Sequence, residues 1–210
     1  MNLNETTLKQ ICPRLSTTRA TEIAAILLQK ATEYNILDKD IFEEFLANVA
    51  HESGEFSIKS ENLNYTTATV LIRTWPSRFN ASNAPLFLRN PKLLANTVYN
   101  GRMGNRAGSN DGFNFRGGGY AQITGRDAYT LYFNYIKNKV SAKTIEELAA
   151  LVHTTEELAI DSAFWFFCEF KNFEQLAIQD NFRELVRRWN GGFIGMPDRE
   201  KYYQRCKQFS

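Results

Sequence analysis

Two carboxylates nine residues apart are the part of this chain best suited to chemistry. Residues 51–65 read His51-Glu52-Ser53-Gly54-Glu55-Phe56-Ser57-Ile58-Lys59-Ser60-Glu61-Asn62-Leu63-Asn64-Tyr65, with Glu52 closing an apolar helical pattern and Glu61 lying beyond a glycine. Carboxyl groups in unlike environments are what acid-catalysed sugar hydrolysis needs: one gives a proton to the leaving oxygen, the other activates water. If one helix ran through both, steps of about 100° would set them on opposite faces, roughly 13.5 Å apart along the axis. Ser53-Gly54 lets the helix stop. The spacing therefore predicts that the chain folds back and Glu61 faces Glu52 across a groove, at the roughly 6.5–9.5 Å that leaves room for a water in inverting glycosidases. Glu55, directly after the turn glycine, is expected to point to solvent.

The element before Glu52 must position it. Ile41, Phe42, Phe45, Leu46, Val49 and Ala50 recur at helical spacing and cover one arc. Glu52 falls inside that arc, and His51 and Glu43 fall outside it. A carboxyl facing an apolar surface is desolvated and can hold a proton near neutral pH. Asp38 or Asp40 caps this helix, and Ser16, Thr17 or Thr18 caps the preceding one, which runs to about Tyr34. Asn90-Pro91 starts another that ends near Gly101. Thr144 with Glu147, and Thr154 with Glu157, read as capping boxes. The second opens the apolar run Ala163-Phe164-Trp165-Phe166-Phe167, expected to be a central buried helix with Trp165 in the core. Further helices are expected over Asn181–Trp189, stopping at Gly191-Gly192, and after Pro197. Strand signals are confined to residues 55–65 and 112–124, where short hairpins are expected.

The twelve glycines fall in three places: Gly54, eight between Gly101 and Gly125, and Gly191, Gly192 and Gly195. The segment 101–125 is a long loop in a compact chain, and long ordered loops are usually functional.

Composition narrows the classes. The 210 residues fit a single domain, 43 % of them are hydrophobic, and a net charge of +2 gives no ground for nucleic-acid binding. Cys12, Cys168 and Cys206 are odd in number and far apart, which indicates neither a disulfide scaffold nor a zinc knuckle. Met1–Leu15 shows no apolar signal core, and Ile23–Leu28 is too short to span a membrane, so no stable membrane insertion is expected. His51-Glu52 is not a zinc-protease motif, because Glu55 stands where H-E-x-x-H needs its second histidine; His51 reads as a hydrogen-bonding neighbour of the site. No metal and no organic cofactor is expected. One Arg116-Gly117-Gly118 does not make an RNA-binding RGG tract. Trp75, beside Pro76, either packs a loop or lines the groove.

Five segments together resemble a known family. They are His51-Glu52-Ser53-Gly54, then Glu61-Asn62-Leu63-Asn64-Tyr65, then Val98-Tyr99-Asn100-Gly101-Arg102-Met103-Gly104-Asn105, then Phe115 through Arg126, then Trp189-Asn190-Gly191-Gly192 with Asp198-Arg199 and Tyr202-Tyr203. In this order they resemble the family 19 glycoside hydrolases, and more closely their phage-endolysin branch, within the lysozyme-like superfamily. The resemblance implies a mainly α, lysozyme-like α+β fold: a helical bundle around a central buried helix, with a small β-hairpin and loop lobe forming the substrate groove. It implies one catalytic domain over 1–210, with 1–40 an N-terminal helical part and 41–207 the catalytic core. Glu52 matches the general acid and Glu61 the carboxylate that activates water, giving inversion. Thr124 matches the hydroxyl residue that helps hold that water. Gln122, Asn190 and Arg199 match residues that bind sugar or tune the carboxylates, and Tyr65 and Tyr120 match sugar contacts. Where the family has an arginine, this chain has Gly118.

The resemblance implies a peptidoglycan hydrolase cutting the β-1,4 glycan strand of the cell wall, and a monomer is the default expectation. A chitinase, cleaving β-1,4-linked N-acetylglucosamine polymer, is the alternative within the same chemistry, and a non-catalytic wall-binding module is the alternative outside it. A chain made in the cytoplasm without a signal peptide must reach the wall by other means. Holin-assisted phage lysis fits, and so does injection by a secretion machine with a matching immunity protein; the sequence leaves that choice open.

Overall fold

The computed structural model describes residues 3–209. The helices are α1 (Glu5–Ile11), α2 (Thr17–Glu33), α3 (Lys39–Glu52), α4 (Ala68–Thr74), α5 (Pro91–Tyr99), α6 (Asp111–Asn114), α7 (Arg126–Ile136), α8 (Ile145–Thr154), α9 (Glu156–Trp165), α10 (Glu174–Ala177), α11 (Phe182–Asn190) and α12 (Met196–Phe209). A 3₁₀ turn covers Ala84–Phe87, and the chain widens into a π turn over Phe166–Phe170. None of these helices is long and apolar enough to cross a membrane. The chain forms two compact units. The first holds residues up to Lys59, Gly119–Gln122, and Leu151 onward; the second holds Ser60–Gly118 and Ile123–Ala150. The first forty residues thus share a unit with the helix that carries Glu52.

The caps explain where helices begin. Ser16 Oγ accepts from the Arg19 amide, and Asp38 accepts from the amides of Asp40 and Ile41 at 2.8 and 3.2 Å, so the more upstream of each set of candidates is the cap. Asn90 and Asn181 cap α5 and α11. At the Thr144–Glu147 pair the Glu147 amide donates to Thr144 Oγ1, while Glu147 Oε2 accepts from the amide of Lys143, one residue before the cap. The second box is shifted by one: Thr154 ends α8, and Thr155 caps α9 by accepting from the Leu158 amide. Two adjacent threonines offer the same cap chemistry, and the direct abutment of α8 and α9 leaves only the later one outside a helix.

In the first unit, α3 is buried on every side. Each residue from Phe42 to Ala50 is inaccessible, including Glu43, Glu44 and Asn48. An arc on one face therefore understates the burial of this helix: it shares the centre with α9, whose run continues through Phe166 and Phe167. Phe45 packs on Phe164 with ring centroids 4.1 Å apart, and edge-on to Phe167. Lys30 of α2 is 5 % exposed and pairs with Asp161 of α9 at 3.0 Å, so its charge is matched inside the unit.

The second unit has its own core of Leu63, Leu71, Phe79, Ala84, Leu94, Ala95 and Val98. Trp75 packs between Tyr65 and Phe79, which resolves the choice left by the sequence in favour of packing. The glycine-rich loop is held by one carboxylate: buried Asp111 receives both Arg106 and Arg126, and these contacts hold its carboxyl far below the usual range. Gly112 is obligatory, because a Cβ there would lie 2.5 Å from the Ala95 carbonyl oxygen.

The expected β-hairpin lobe is not formed. Among the described residues the pairing is limited to isolated bridges, Ser60 with Gly118 and Gly118 with Ile123. Glycine supplies no side chain for a ladder, and Gly119 and Gln122 take positive φ, which turns the chain at once. The expectation for Glu55 also fails. It is 4 % exposed, accepting from the Arg14 amide at 2.7 Å and the Tyr202 hydroxyl at 2.9 Å. Gly54, Glu55 and Phe56 all have positive φ, so the turn carries Glu55 back into the protein.

Glu44 is wholly buried, and neither carboxyl oxygen has a hydrogen-bond partner among the described residues. Burial, reinforced by Asp180 and Asp40 and opposed by Lys207, pushes its carboxyl up to about 8. A raised folded value means that the stability tied to this group is complete below the ordinary carboxyl range and is lost as pH rises through about 8. Glu44→Gln should melt like the parent at pH 4 and several degrees higher at pH 9, as read by calorimetry. Parallel melting curves across that range would refute the assignment.

Candidate active site

Glu52 is the last residue of α3. Ser53 caps the helix with its hydroxyl on the Val49 carbonyl at 2.6 Å and accepts from the Phe56 amide at 2.7 Å, which clamps the left-handed turn over 54–56. The helix break expected from Ser53-Gly54 is therefore built. The apolar surroundings expected for Glu52 are not. Its Oε1 accepts from Arg199 Nη2 of α12, and Arg199 Nη1 donates to Asn48 Oδ1 at 2.6 Å. Asn48 lies one turn before Glu52 on the same face, so the guanidinium spans a turn of α3 and turns the carboxylate with it. Glu52 keeps 21 % of its side chain exposed, and Oε2 has no partner among the described residues.

Arg199 is 1 % exposed and so cannot touch a ligand directly. Its two hydrogen bonds, to Asn48 and Glu52, hold the Glu52 carboxylate in place. Beside it, His51 Nδ1 lies 2.7 Å from Asp198 Oδ2, as a hydrogen-bonding neighbour should. Gly195 passes so close that a Cβ would fall 2.5 Å from His51 Nε2, which brings the 191–195 loop against the end of α3. Asn190, at the C-terminus of α11, is exposed, but its amide donates to the Ile194 carbonyl at 3.0 Å and closes that loop.

Glu61 belongs to the second unit, and its cradle is different. Its amide donates to the Gly117 carbonyl at 2.8 Å, the Gly117 amide returns to Oε2 at 3.2 Å, and the Tyr99 hydroxyl donates to Oε1 at 2.7 Å. Burial, with the Glu61 carboxylate beside it, pushes the Tyr99 hydroxyl far above its usual range, so it remains a donor at any working pH. Both oxygens of Glu61 thus accept protein hydrogen bonds. The single bridges place Ser60-Glu61 and Ile123-Thr124 on either side of Gly117-Gly118, so Glu61 and Thr124 lie on neighbouring segments. Arg116, two residues before Gly118, is the cation of this segment. It donates to the Phe113 carbonyl at 2.7 Å, and burial lowers it from the ordinary arginine value against the pull of Tyr129 and Glu61.

Two further residues named from the sequence have other work. Tyr120 is fully buried, with its hydroxyl on the Phe56 carbonyl at 2.9 Å and on Glu156, so it cannot present a face to sugar. Gln122 is half-buried at positive φ, and its amide donates to the Gly119 carbonyl at 2.9 Å, bracing the turn 119–122. Tyr65 is half-buried against Trp75 with part of its ring accessible. Sequence reasoning assigned no role to Asn48 or Tyr99. Asn48 had a signal, a polar residue one turn from Glu52 at the edge of an apolar arc. Tyr99 had none, being 38 positions from Glu61.

The fold is one seen before. A crystal structure of a chitinase C mutant aligns with TM-score 0.61 over 99 % of this chain and 76 % of that one, at 14 % sequence identity. No family model matches the chain. A glycosyl hydrolase family 19 domain-containing protein of Haemophilus influenzae is 35 % identical over 162 residues, 76 % of this chain and 75 % of that protein. The chain belongs to glycosyl hydrolase family 19.

Arg199→Lys keeps the charge but cannot reach Asn48 and Glu52 together. It should lower glycan-hydrolysis kcat by about tenfold or more and leave KM within about twofold, the signature of a positioning residue. Tyr99→Phe removes one donor to Glu61 and should cost about tenfold in kcat with an unchanged melting temperature. Full turnover in Tyr99→Phe would show that Glu61 needs no such brace.

Proposed function

We propose that this protein is a peptidoglycan hydrolase of the endolysin type, cutting the β-1,4 glycan linkage with inversion. The observation that carries the reading is the inequality of the two carboxylates. Glu52 is fixed through Oε1 and leaves Oε2 free for a transferable proton. Glu61 has both oxygens engaged by Tyr99 and Gly117, as suits an acceptor that stays ionised. In the proposed mechanism Glu52 protonates the leaving oxygen from Oε2, while Glu61 draws a proton from a water that attacks C1 on the opposite face. Thr124 helps to hold that water. No metal or organic cofactor enters. Gln122, Asn190 and Tyr65 contribute on the substrate side, Gln122 and Asn190 by shaping loops and Tyr65 by contact. The enzyme works as a monomer, at the cell wall.

Support for peptidoglycan over chitin comes from the closer resemblance of the motif set as a whole to the endolysin branch. The chitinase reading is kept because the chain shares its fold with a chitinase C. Digestion of purified sacculi and of chitin oligomers side by side, with mass spectrometry of the products, separates the two. Muropeptide release supports the lysin, and cleavage of chitin alone refutes it. Glu52→Gln should bind sacculi like the parent and lose turnover by about a thousandfold or more. Undiminished turnover in that variant would remove Glu52 from the mechanism.

A further inference from the structure

None of the segments by which the chain resembles its family begins before His51, yet residues far upstream take hold of the connection that leaves Glu52. That connection is strained. Gly54, Glu55 and Phe56 all hold left-handed backbone, which is unfavourable for the two that carry a Cβ unless contacts over-determine it. Both are gripped from the N-terminal side. The Arg14 amide donates to Glu55 Oε2 at 2.7 Å, and Arg14 Nε lies 3.2 Å from Glu55 Oε1. Arg19 of α2 takes the next residue, its Nη2 donating to the Phe56 carbonyl at 2.7 Å.

The same nitrogen of Arg19 donates to Glu156 Oε1 at 2.7 Å. Glu156, the first residue of α9, is a hub: Lys59 Nζ donates to Oε1 at 3.0 Å, and the Tyr120 hydroxyl donates to Oε2. Lys59 stands two residues before Glu61, and its carbonyl accepts from the Gly119 amide at 2.9 Å. Burial works against the charge of Glu156, but the hydrogen bonds from Tyr120, Lys59 and Arg19 outweigh it and lower the carboxyl from its ordinary value.

Proton supply is what makes Arg19 necessary. The Tyr120 hydroxyl stands 2.9 Å from the Phe56 carbonyl and also meets Glu156, but it has a single proton and can donate to only one of them. The terminal nitrogen of Arg19 has a proton for each of its two acceptors, Phe56 and Glu156. Take it away, and Tyr120 must leave either the Phe56 carbonyl or Glu156 Oε2 unserved, at the cost of a buried polar group without its bond. The connection from Glu52 to Glu61 would then lose its hold at Phe56 or at the hub that fixes Lys59.

We infer that Arg19 is a positioning residue: through the Phe56 carbonyl and Glu156 it holds the connection from Glu52 to Glu61 in the geometry that turnover needs. The inference rests on the reading of the protein as a glycan hydrolase and adds to it a residue that lies outside every motif of the family resemblance and touches no reacting atom.

The test uses the full chain. Arg19→Met should lower glycan-hydrolysis kcat about tenfold or more and leave KM within about twofold, because small displacements of catalytic groups fall on the chemical step. The contacts of Arg19 to Phe56, Tyr120 and Glu156 all come from one nitrogen, so a lysine ammonium can serve the same acceptors, and Arg19→Lys should hold kcat within about threefold of the parent. Lys9→Met, whose ammonium bonds Thr17 and Glu5 and not the turn, should turn over like the parent. Amide hydrogen exchange reads the turn directly. The amides of Phe56, Ser57 and Ile58, all bonded to Ser53, should exchange about tenfold faster in Arg19→Met. If Arg19→Met unfolds at the assay temperature, Arg19→Gln takes its place beside Arg19→Lys. Parental kcat in the neutral variant overturns the inference. So does a lost kcat with the three amides unmoved, and so does an equal loss in Arg19→Lys. Exchange needs no turnover, so the two readings fail separately. A parent that cleaves neither sacculi nor chitin, with the amides freed in Arg19→Met, loses the hydrolase and keeps the hold of Arg19 on the turn. A parent that cleaves glycan no faster than Arg19→Met keeps the hydrolase and loses the inference.

Discussion

The guanidinium of Arg199, almost wholly withdrawn from water, bonds Asn48 with one nitrogen and Glu52 with another. A buried cation is tolerated only where anions or oriented dipoles meet it, and here both lie on one turn of α3. This fixes α12 against α3. With α12 come Asp198, which reaches His51, and Tyr202, which reaches Glu55. The 191–195 loop can approach the end of α3 because Gly195 has no side chain to collide with His51. Removing the cation would leave Glu52 without its brace and Asn48 with an unmet acceptor.

The turn that follows shows what it costs to stop a helix sharply. Glu55 and Phe56 hold left-handed backbone, which disfavours residues with a Cβ by about 1–2 kcal/mol each. Several contacts offset this. Phe56 is fully buried and edge-on to Tyr120, its amide is taken by Ser53, and its carbonyl accepts from Arg19 at 2.7 Å. Glu55 is paired with Arg14 and Tyr202. Residues that look like a solvent loop in the sequence are therefore over-determined, and the carboxylate of Glu52 gains a fixed exit direction.

The second unit solves the same problem with less charge. Glu61 is fixed by a hydroxyl and a backbone amide, and the glycine-rich segment that supplies the amide is tied down through the Asp111 hub with Arg106 and Arg126. Glycine serves close approach here: Gly112 passes so near the Ala95 carbonyl oxygen that a Cβ would fall 2.5 Å from it. A long ordered loop made of such contacts has no room for a ladder, which is why two bridges stand where hairpins were expected.

Local chemistry was legible in the chain. Ser16, Asp38, Asn90, Thr144 and Asn181 announce helix starts, because a side-chain oxygen beside free amides acts over three residues and needs no distant partner. Ser53-Gly54 announces the break after Glu52 for the same reason, and the order of five short motifs identifies the family. The partners of the carboxylates were not readable, since Arg199 meets Glu52 from 147 positions away and Tyr99 meets Glu61 from 38. Periodicity gives the direction in which a side chain leaves its helix but not what stands opposite. It placed Glu52 on an apolar arc without revealing the guanidinium there, and the turn glycine before Glu55 suggested solvent where tertiary packing buries that carboxylate. The sequence by itself determined which carboxylates are the candidates for acid–base chemistry and where the helices begin and break. Only the tertiary structure decided how each carboxylate is held, because that depends on long-range hydrogen bonds between segments whose spacing along the chain carries no period.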